Sequence, residues 1–286
     1  MKPGIYKMAD KEYFAVPAAS NSTLKLLGSR SPAHWAYRQA NPTEPTANML
    51  QGTSLHCAIL EPERFMEVHA VLPDNAPRKP TEPQWTAYRE GRPTEKAETS
   101  CRYWEQWNAM SADKIIINDD TAKKYMEISE RVRNHPELRP FFNGGQPENA
   151  VFANDPVTGV LCKCKPDYLT RIKSYNICIE LKSTEDARKS MFKRTAFNFG
   201  YYQAAAFYQD VMEWSIGRPD LYLIVAFERD APYGIKVYEI DPYAIERGTE
   251  QYRDALNQYA ECLKSNLWPN YSTDIEILDY PAWAKE

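Results

Sequence analysis

Apolar residues recur at helical spacing through the first half of the chain and at strand spacing through the second. Residues 20–40 predict two short helices divided at Ser31-Pro32, where proline suits a first helical position. Across 46–60 the residues Met49, Leu50, Leu55 and Ile59 fall on a helical repeat and predict a third helix. A further helix is expected over Thr99–Met110, and another from the capping pair Asp119-Asp120 to about Asn134. Between these, residues 73–95 carry prolines at 73, 77, 80, 83 and 93 among charges and predict an excursion without regular structure.

After Gly144-Gly145 the period shortens to two. Strands are expected over 148–154, 160–170 and 175–182, with turns at Asp155–Gly159 and Lys173-Ser174. Helices at about 185–195 and 197–214, strands at 220–228 and 234–240, and a last helix at 242–265 complete the pattern. The order β-β-β-α-α-β-β-α predicts an α/β fold with a mixed sheet flanked by helices. The mainly helical residues 1–145 are expected to pack on the sheet core built from 146–286, giving a single domain over 1–286.

Composition changes this picture little. The chain is 43% hydrophobic and 26% charged, as in ordinary globular proteins, and no apolar run reaches the ~18 residues of a membrane span. The opening MKPGIYKMADKEYF lacks the apolar stretch of a secretory signal, so a cytoplasmic location is expected. Cys57, Cys101, Cys162, Cys164, Cys178 and Cys262 show no C-x-x-C pairing, and Cys162 and Cys164 read as small buried hydrophobes on one strand face. His34, His69 and His135 are scattered and read as structural; Trp85, Trp104 and Trp107 read as packing residues before base-stacking ones. No phosphate-binding G-x-x-x-x-G-K-[ST] run occurs, so ATP is not expected.

Charge pulls in two directions. A net charge of −4 argues mildly against nucleic acid, whose phosphates favour basic partners. Locally, however, Lys163, Lys165, Arg171 and Lys173 cluster, as do Arg188, Lys189, Lys193 and Arg194. A basic lining inside an acidic exterior reconciles the two.

The chemistry concentrates in Lys165-Pro166-Asp167, twelve further residues, and Glu180-Leu181-Lys182. Strand alternation sends Glu180 and Lys182 to one face and Ile179 and Leu181 to the other. A hairpin then brings Asp167 beside Glu180, so that two carboxylates and an ammonium converge at a solvent-facing sheet edge. Close carboxylates suit Mg²⁺, which polarises phosphoryl oxygens and acidifies bound water, while a lysine stabilises developing charge. A strand end followed by a solvated polar face would leave the same residues, and the short motif does not choose between the readings.

Longer blocks do. Gly52-Thr53-Ser54-Leu55-His56 precedes Leu60-Glu61-Pro62-Glu63-Arg64-Phe65, and His135-Pro136 precedes Pro147-Glu148. Thr158-Gly159-Val160 leads to Lys165-Pro166-Asp167, then Ile179-Glu180-Leu181-Lys182-Ser183-Thr184, then Gly200-Tyr201-Tyr202-Gln203 running to Tyr208. With these blocks the chain resembles the PD-(D/E)xK nuclease superfamily and, within it, the RecE (exodeoxyribonuclease VIII) catalytic-domain family.

The resemblance implies a restriction-endonuclease-like core. It implies catalytic roles for Asp167, Glu180 and Lys182, with Gln203 and Tyr208 on the following helix. It implies a metal site of His56, Glu148, Asp167, Glu180 and the Leu181 carbonyl, taking Mg²⁺ with Mn²⁺ as substitute, and no iron–sulfur cluster. The basic residues Lys163, Lys165, Arg188, Lys189, Lys193 and Arg194 are expected to bind DNA. The activity implied is 5′→3′ digestion of duplex ends to 5′-mononucleotides, leaving 3′ strands for annealing. A homotetrameric ring and a single-strand annealing partner of the RecT type come with it. One departure stands out: the family's glutamine lies four residues before its tyrosine, whereas Gln203 and Tyr208 are five apart, which calls for a slipped alignment or a π-bulge. A RecB-like enzyme of other polarity or strand preference, and a non-catalytic DNA-binding module, remain as alternatives.

Overall fold

The computed structural model describes residues 1–280. Strands are β1 (Gly4–Tyr6), β2 (His69–Leu72), β3 (Ile115–Asn118), β4 (Gln146–Pro147), β5 (Ala150–Asn154), β6 (Leu161–Cys164), β7 (Tyr168–Ile172), β8 (Tyr175–Thr184), β9 (Leu221–Glu228) and β10 (Ile235–Glu239). Helices are α1 (Asp10–Ala15), α2 (Asn21–Ser29), α3 (Pro32–Ala40), α4 (Ala47–Leu60), α5 (Phe65–Val68), α6 (Glu82–Arg89), α7 (Glu95–Ser111), α8 (Asp119–Arg133), α9 (Lys189–Phe199), α10 (Tyr201–Glu213) and α11 (Pro242–Ser265). The result is the mixed α/β core with flanking helices that the hydrophobic pattern predicts.

The main sheet runs in the order β10-β9-β8-β7-β4, with β8 and β9 parallel and the other neighbours antiparallel. Strand β8 is therefore central, and the expectation that Glu180 and Lys182 sit at a solvent-facing edge does not hold. Its two faces feed two cores. Ile177, Ile179 and Leu181 pack under α4 and α8 with Leu55, Ile59 and Ile128, while Cys178 joins Leu24, Phe207 and Tyr252 of α2, α10 and α11. Burying both faces of a strand leaves a charged residue there only where partners surround it. Met49 and Leu50, read as apolar helix positions, are exposed, and the buried stripe of α4 starts at Ser54.

The expected strand over 160–170 is two strands in different sheets. Strand β6 pairs with β5, and β5 with β1, in a separate three-stranded sheet, whereas β7 belongs to the main one. The break falls at Lys165-Pro166-Asp167: proline has no N–H for a ladder, and the Asp167 N–H is diverted to Glu180 Oε1 at 3.2 Å. The excursion at 73–95 also contains structure. Helix α6 is capped by Thr81, whose N–H is taken by Gln84 Oε1 at 2.8 Å, and Pro83 sits in its first turn, where a missing N–H costs nothing.

Helices α9 and α10 meet at Gly200, whose φ of 68° is the left-handed turn a glycine adopts without strain. They form the crossover that makes β8 and β9 parallel. Trp104 and Trp107 are buried and Trp85 packs against them, as packing residues rather than a stacking surface. Among the described residues no helix is long and apolar enough to cross a membrane.

Candidate active site

Asp167 lies in the kink between β6 and β7, and the β7–β8 register sets Tyr168 opposite Ile179. That register carries the Asp167 carboxylate beside Glu180, as the hairpin argument predicts. The two oxygens of Asp167 do different things. Oδ2 accepts the Leu181 N–H at 2.7 Å and lies 3.7 Å from Lys182 Nζ. Oδ1 looks the other way, 3.4 Å from His56 Nδ1 on α4. The same imidazole nitrogen is 3.5 Å from Glu148 Oε1, just past β4. Glu148 holds a φ of 54°, unusual for a side chain of its size, and its N–H donates to the Asp167 carbonyl at 3.0 Å.

Glu180 is 4% exposed and Asp167 7%, so the centre is buried rather than solvated. Lys182 Nζ donates to Glu180 Oε2 at 2.8 Å and stands over the Tyr201 ring, 5.5 Å from its centre. Burial and the neighbouring Asp167 push the Glu180 carboxyl upward. Burial opposes ionisation of Asp167 too, but the charges of His56 and Lys182 and the Leu181 amide outweigh it and hold its carboxyl low. For His56, burial disfavours the cation, yet Asp167 and Glu148 override it and raise the imidazole to about 10. Burial likewise disfavours the Lys182 ammonium, and Glu180 and Asp167 more than restore it.

His56, Glu148 and Asp167 offer ligand atoms all within 4.8 Å of one another. Their separations from His56 exceed the ~2.9 Å of a direct N–H···O bond and suit groups that share an ion, since adjacent ligands of an octahedral Mg²⁺ stand about 3 Å apart. One nitrogen and two carboxylates fit a divalent cation. Glu180 stands outside this trio of ligands, with one oxygen on the Asp167 amide and the other on Lys182. Leu181 enters through its N–H.

The basic residues divide. Lys163 is not on a DNA path: it is 5% exposed, donates to the Tyr13 and Val16 carbonyls at 2.8 and 2.7 Å, and lies over the Tyr13 ring. Burial lowers its ammonium to about 8. Lys165 is at the site but engaged, bridging Asp10 at 2.5 Å and Glu148 at 3.1 Å. Arg188 is exposed and paired with Asp186. Lys189, Lys193 and Arg194 are exposed on α9.

Helix α10 is regular, without a π-bulge, so five residues place Gln203 and Tyr208 about 140° apart. Gln203 is buried and donates to Asn21 Oδ1 at 3.2 Å, away from the carboxylates. Tyr208 packs against the core, and burial together with the Glu180 charge raises its phenol well above the usual range. The residue over Lys182 is Tyr201, which sequence reasoning missed; its seven-residue spacing from Tyr208, one helix face, was the available signal. Also unforeseen is the segment around β1 and α1, where Lys7 donates to the Pro147 carbonyl at 2.9 Å and Asp10 holds Lys165.

A family described as a PDDEXK-like domain of unknown function (DUF3799) matches residues 20–281. No curated protein matches the chain. Among solved structures, a candidate exonuclease from Eubacterium rectale superposes with a TM-score of 0.55 at 13% identity, covering 96% of each chain. An alkaline exonuclease from Laribacter hongkongensis gives 0.29 at 14% identity, over 72% of this chain and 97% of that one, too slight a likeness to argue from. The first comparison supports a shared fold and nothing finer.

Proposed function

We propose that this chain, which belongs to the family of PDDEXK-like domains, is a divalent-metal-dependent deoxyribonuclease. The observation that carries the reading is the divided Asp167 carboxylate. One oxygen joins His56 and Glu148 in a cluster fit for a cation, and the other is fixed by the Leu181 amide near Lys182. A structural ion pair has no use for three cation ligands converging next to a lysine that is itself held by two carboxylates.

His56, Glu148 and Asp167 would hold Mg²⁺, which supplies Lewis acidity toward a phosphoryl oxygen and acidifies a bound water. Lys182 brings a positive charge, oriented by Glu180 and Tyr201, to where negative charge gathers in phosphodiester cleavage. Glu180 keeps that ammonium in place and, through the Asp167 amide, keeps the kink that aims Asp167. Lys165, tied to Asp10, orients the outer carboxylate Glu148.

Attack at duplex ends with 5′→3′ polarity, a ring of four subunits and an annealing partner extend the proposal, supported by the RecE-like sequence blocks alone. The test is a linear duplex labelled at one 5′ end, incubated with Mg²⁺ or Mn²⁺. The label should leave early as a mononucleotide while a 3′ label persists. Early loss of the 3′ label would refute the polarity, and absence of metal-dependent hydrolysis would refute the nuclease.

A further inference from the structure

Two exposed aromatic side chains lie at the end of α9. Phe197 is 71% exposed and Phe199 58%. The Phe199 ring stacks on Tyr201 with centres 5.9 Å apart and planes 21° off parallel. Tyr201 in turn lies 5.5 Å from Lys182 Nζ. A ladder of Lys182, Tyr201 and Phe199 therefore runs from the candidate catalytic lysine to the surface. Lys25 secures its outer end, donating to the Phe199 carbonyl at 2.8 Å with its ammonium 5.7 Å from the ring. Along α9, Lys189, Lys193 and Phe197 stand four apart and share one stripe, with Arg194 beside them. Among the described residues no carboxylate lies within ion-pair distance of these three cations, unlike Arg188, which Asp186 neutralises.

We infer that the end of α9 and the start of α10 form a stacking platform for an unpaired DNA strand entering the site, an inference that rests on the nuclease reading. Bases present π faces and phosphates present charge, so a solvent-facing ring at the end of a helix that carries unpaired cations complements a single strand. Duplex DNA keeps its bases stacked on each other and has no use for an exposed ring. The steps of 5.5 and 5.9 Å put Phe199 within about three stacked nucleotides of Lys182, at ~3.4 Å each, so a strand on the platform reaches the lysine. Phe199 thus becomes a substrate-contacting residue of the strand to be cut.

The experiment places 5-iododeoxyuridine at successive terminal positions of a duplex with a frayed end. The full-length protein binds it in Ca²⁺, the complex is irradiated, and the crosslinked peptide is sequenced. The crosslink is expected at Phe199 for one or two positions next to the cut. Phe199→Ala should weaken binding of frayed ends about five- to tenfold, and Phe199→Trp should restore it. Lys189→Ala with Lys193→Ala should make the salt dependence of binding shallower by about 1.4 slope units, at about 0.7 for each phosphate of a single strand. Crosslinks mapping elsewhere, or Phe199→Ala binding as tightly as wild type, overturn the platform. So does loss of self-association in Phe197→Ser with DNA crosslinking unaltered, which would make this face a contact between copies of the chain. The crosslink is read before any bond is cut, so it is independent of cleavage: a protein that cuts DNA but crosslinks elsewhere loses only the platform.

Discussion

Gly248 sits in the second turn of α11, where an alanine would ordinarily favour the helix by about 1 kcal/mol. The structure predicts the opposite sign. A Cβ at this position would stand 2.4 Å from the Tyr202 carbonyl oxygen, 2.7 Å from its carbon and 3.0 Å from the Gln203 nitrogen. All three are backbone atoms of α10, so no side chain can swing aside. Relief to ordinary contact requires the helices to part by about 1 Å, and overpacking of that kind costs roughly 1–3 kcal/mol, with loss of neighbouring contacts between Phe207 and Tyr252. After the propensity gain, Gly248→Ala should be less stable by up to about 2 kcal/mol. The displaced turn also carries Tyr201, so Lys182 loses its ring neighbour and cleavage should fall further than stability alone explains. Urea denaturation followed by circular dichroism measures the first effect and single-turnover cleavage the second. A variant about 1 kcal/mol more stable than wild type would show that α10 and α11 are not in backbone contact, and the argument would fail.

Asp167→Asn, Glu180→Gln and Lys182→Met should each lower cleavage about a thousandfold or more while binding of DNA in Ca²⁺ persists; near-normal turnover in any of them would move the active site. Ca²⁺ should support binding with little hydrolysis, because the larger ion relaxes octahedral geometry, and equal rates in Ca²⁺ and Mg²⁺ would count against this. Asp155→Ala should cost about 3–5 kcal/mol, since Arg253 grips that buried carboxylate at 2.5 and 3.0 Å; because the pair with Arg253 and Thr158 outweighs burial and holds Asp155 low, its stabilisation is present above the usual carboxyl range and disappears as pH falls through its depressed value, which acid titration of wild type against variant would reveal. Lys163→Met should destabilise by about 2–4 kcal/mol by orphaning two carbonyls, yet leave the salt dependence of DNA binding unchanged; a shallower slope with full stability would return Lys163 to the DNA path.

What the sequence made legible is what short-range geometry determines. Asp167 and Glu180 belong to one hairpin, so alternation and a turn were enough to bring them together. Partners contributed from far along the chain were invisible. The two carbonyls that receive Lys163 lie about 150 residues upstream, and nothing in Lys163-Cys164-Lys165 distinguishes a buried strut from a phosphate ligand. The same holds for Asp10, which holds Lys165, and for β1, whose pairing with β5 joins the opening residues to the site. Proline misled twice in opposite ways: at 83 it opens a helix within a segment read as irregular, and at 166 it breaks a strand read as continuous. Helix α10 misled through the family pattern, because counting from Gln203 hid Tyr201, two residues earlier, which meets the lysine.

The distribution of charge follows from the same geometry and removes the difficulty of an acidic protein acting on DNA. At the centre Glu148, Asp167 and Glu180 are matched by His56, Lys165 and Lys182, so the inner site carries little uncompensated negative charge to repel a phosphate. Several basic residues that inflate the count of potential DNA contacts are consumed internally, Lys163 by carbonyls and Arg253 by Asp155. Of the residues expected to meet DNA, Lys189, Lys193 and Arg194 stand exposed on one helix, next to the exposed phenylalanines. Electrostatic attraction falls off within about 10 Å at ordinary salt, so the field a strand meets is that of this local set rather than of the net charge of −4. On the proposed function, an overall negative balance would keep DNA off the remaining surface and concentrate affinity where the phosphodiester must be placed.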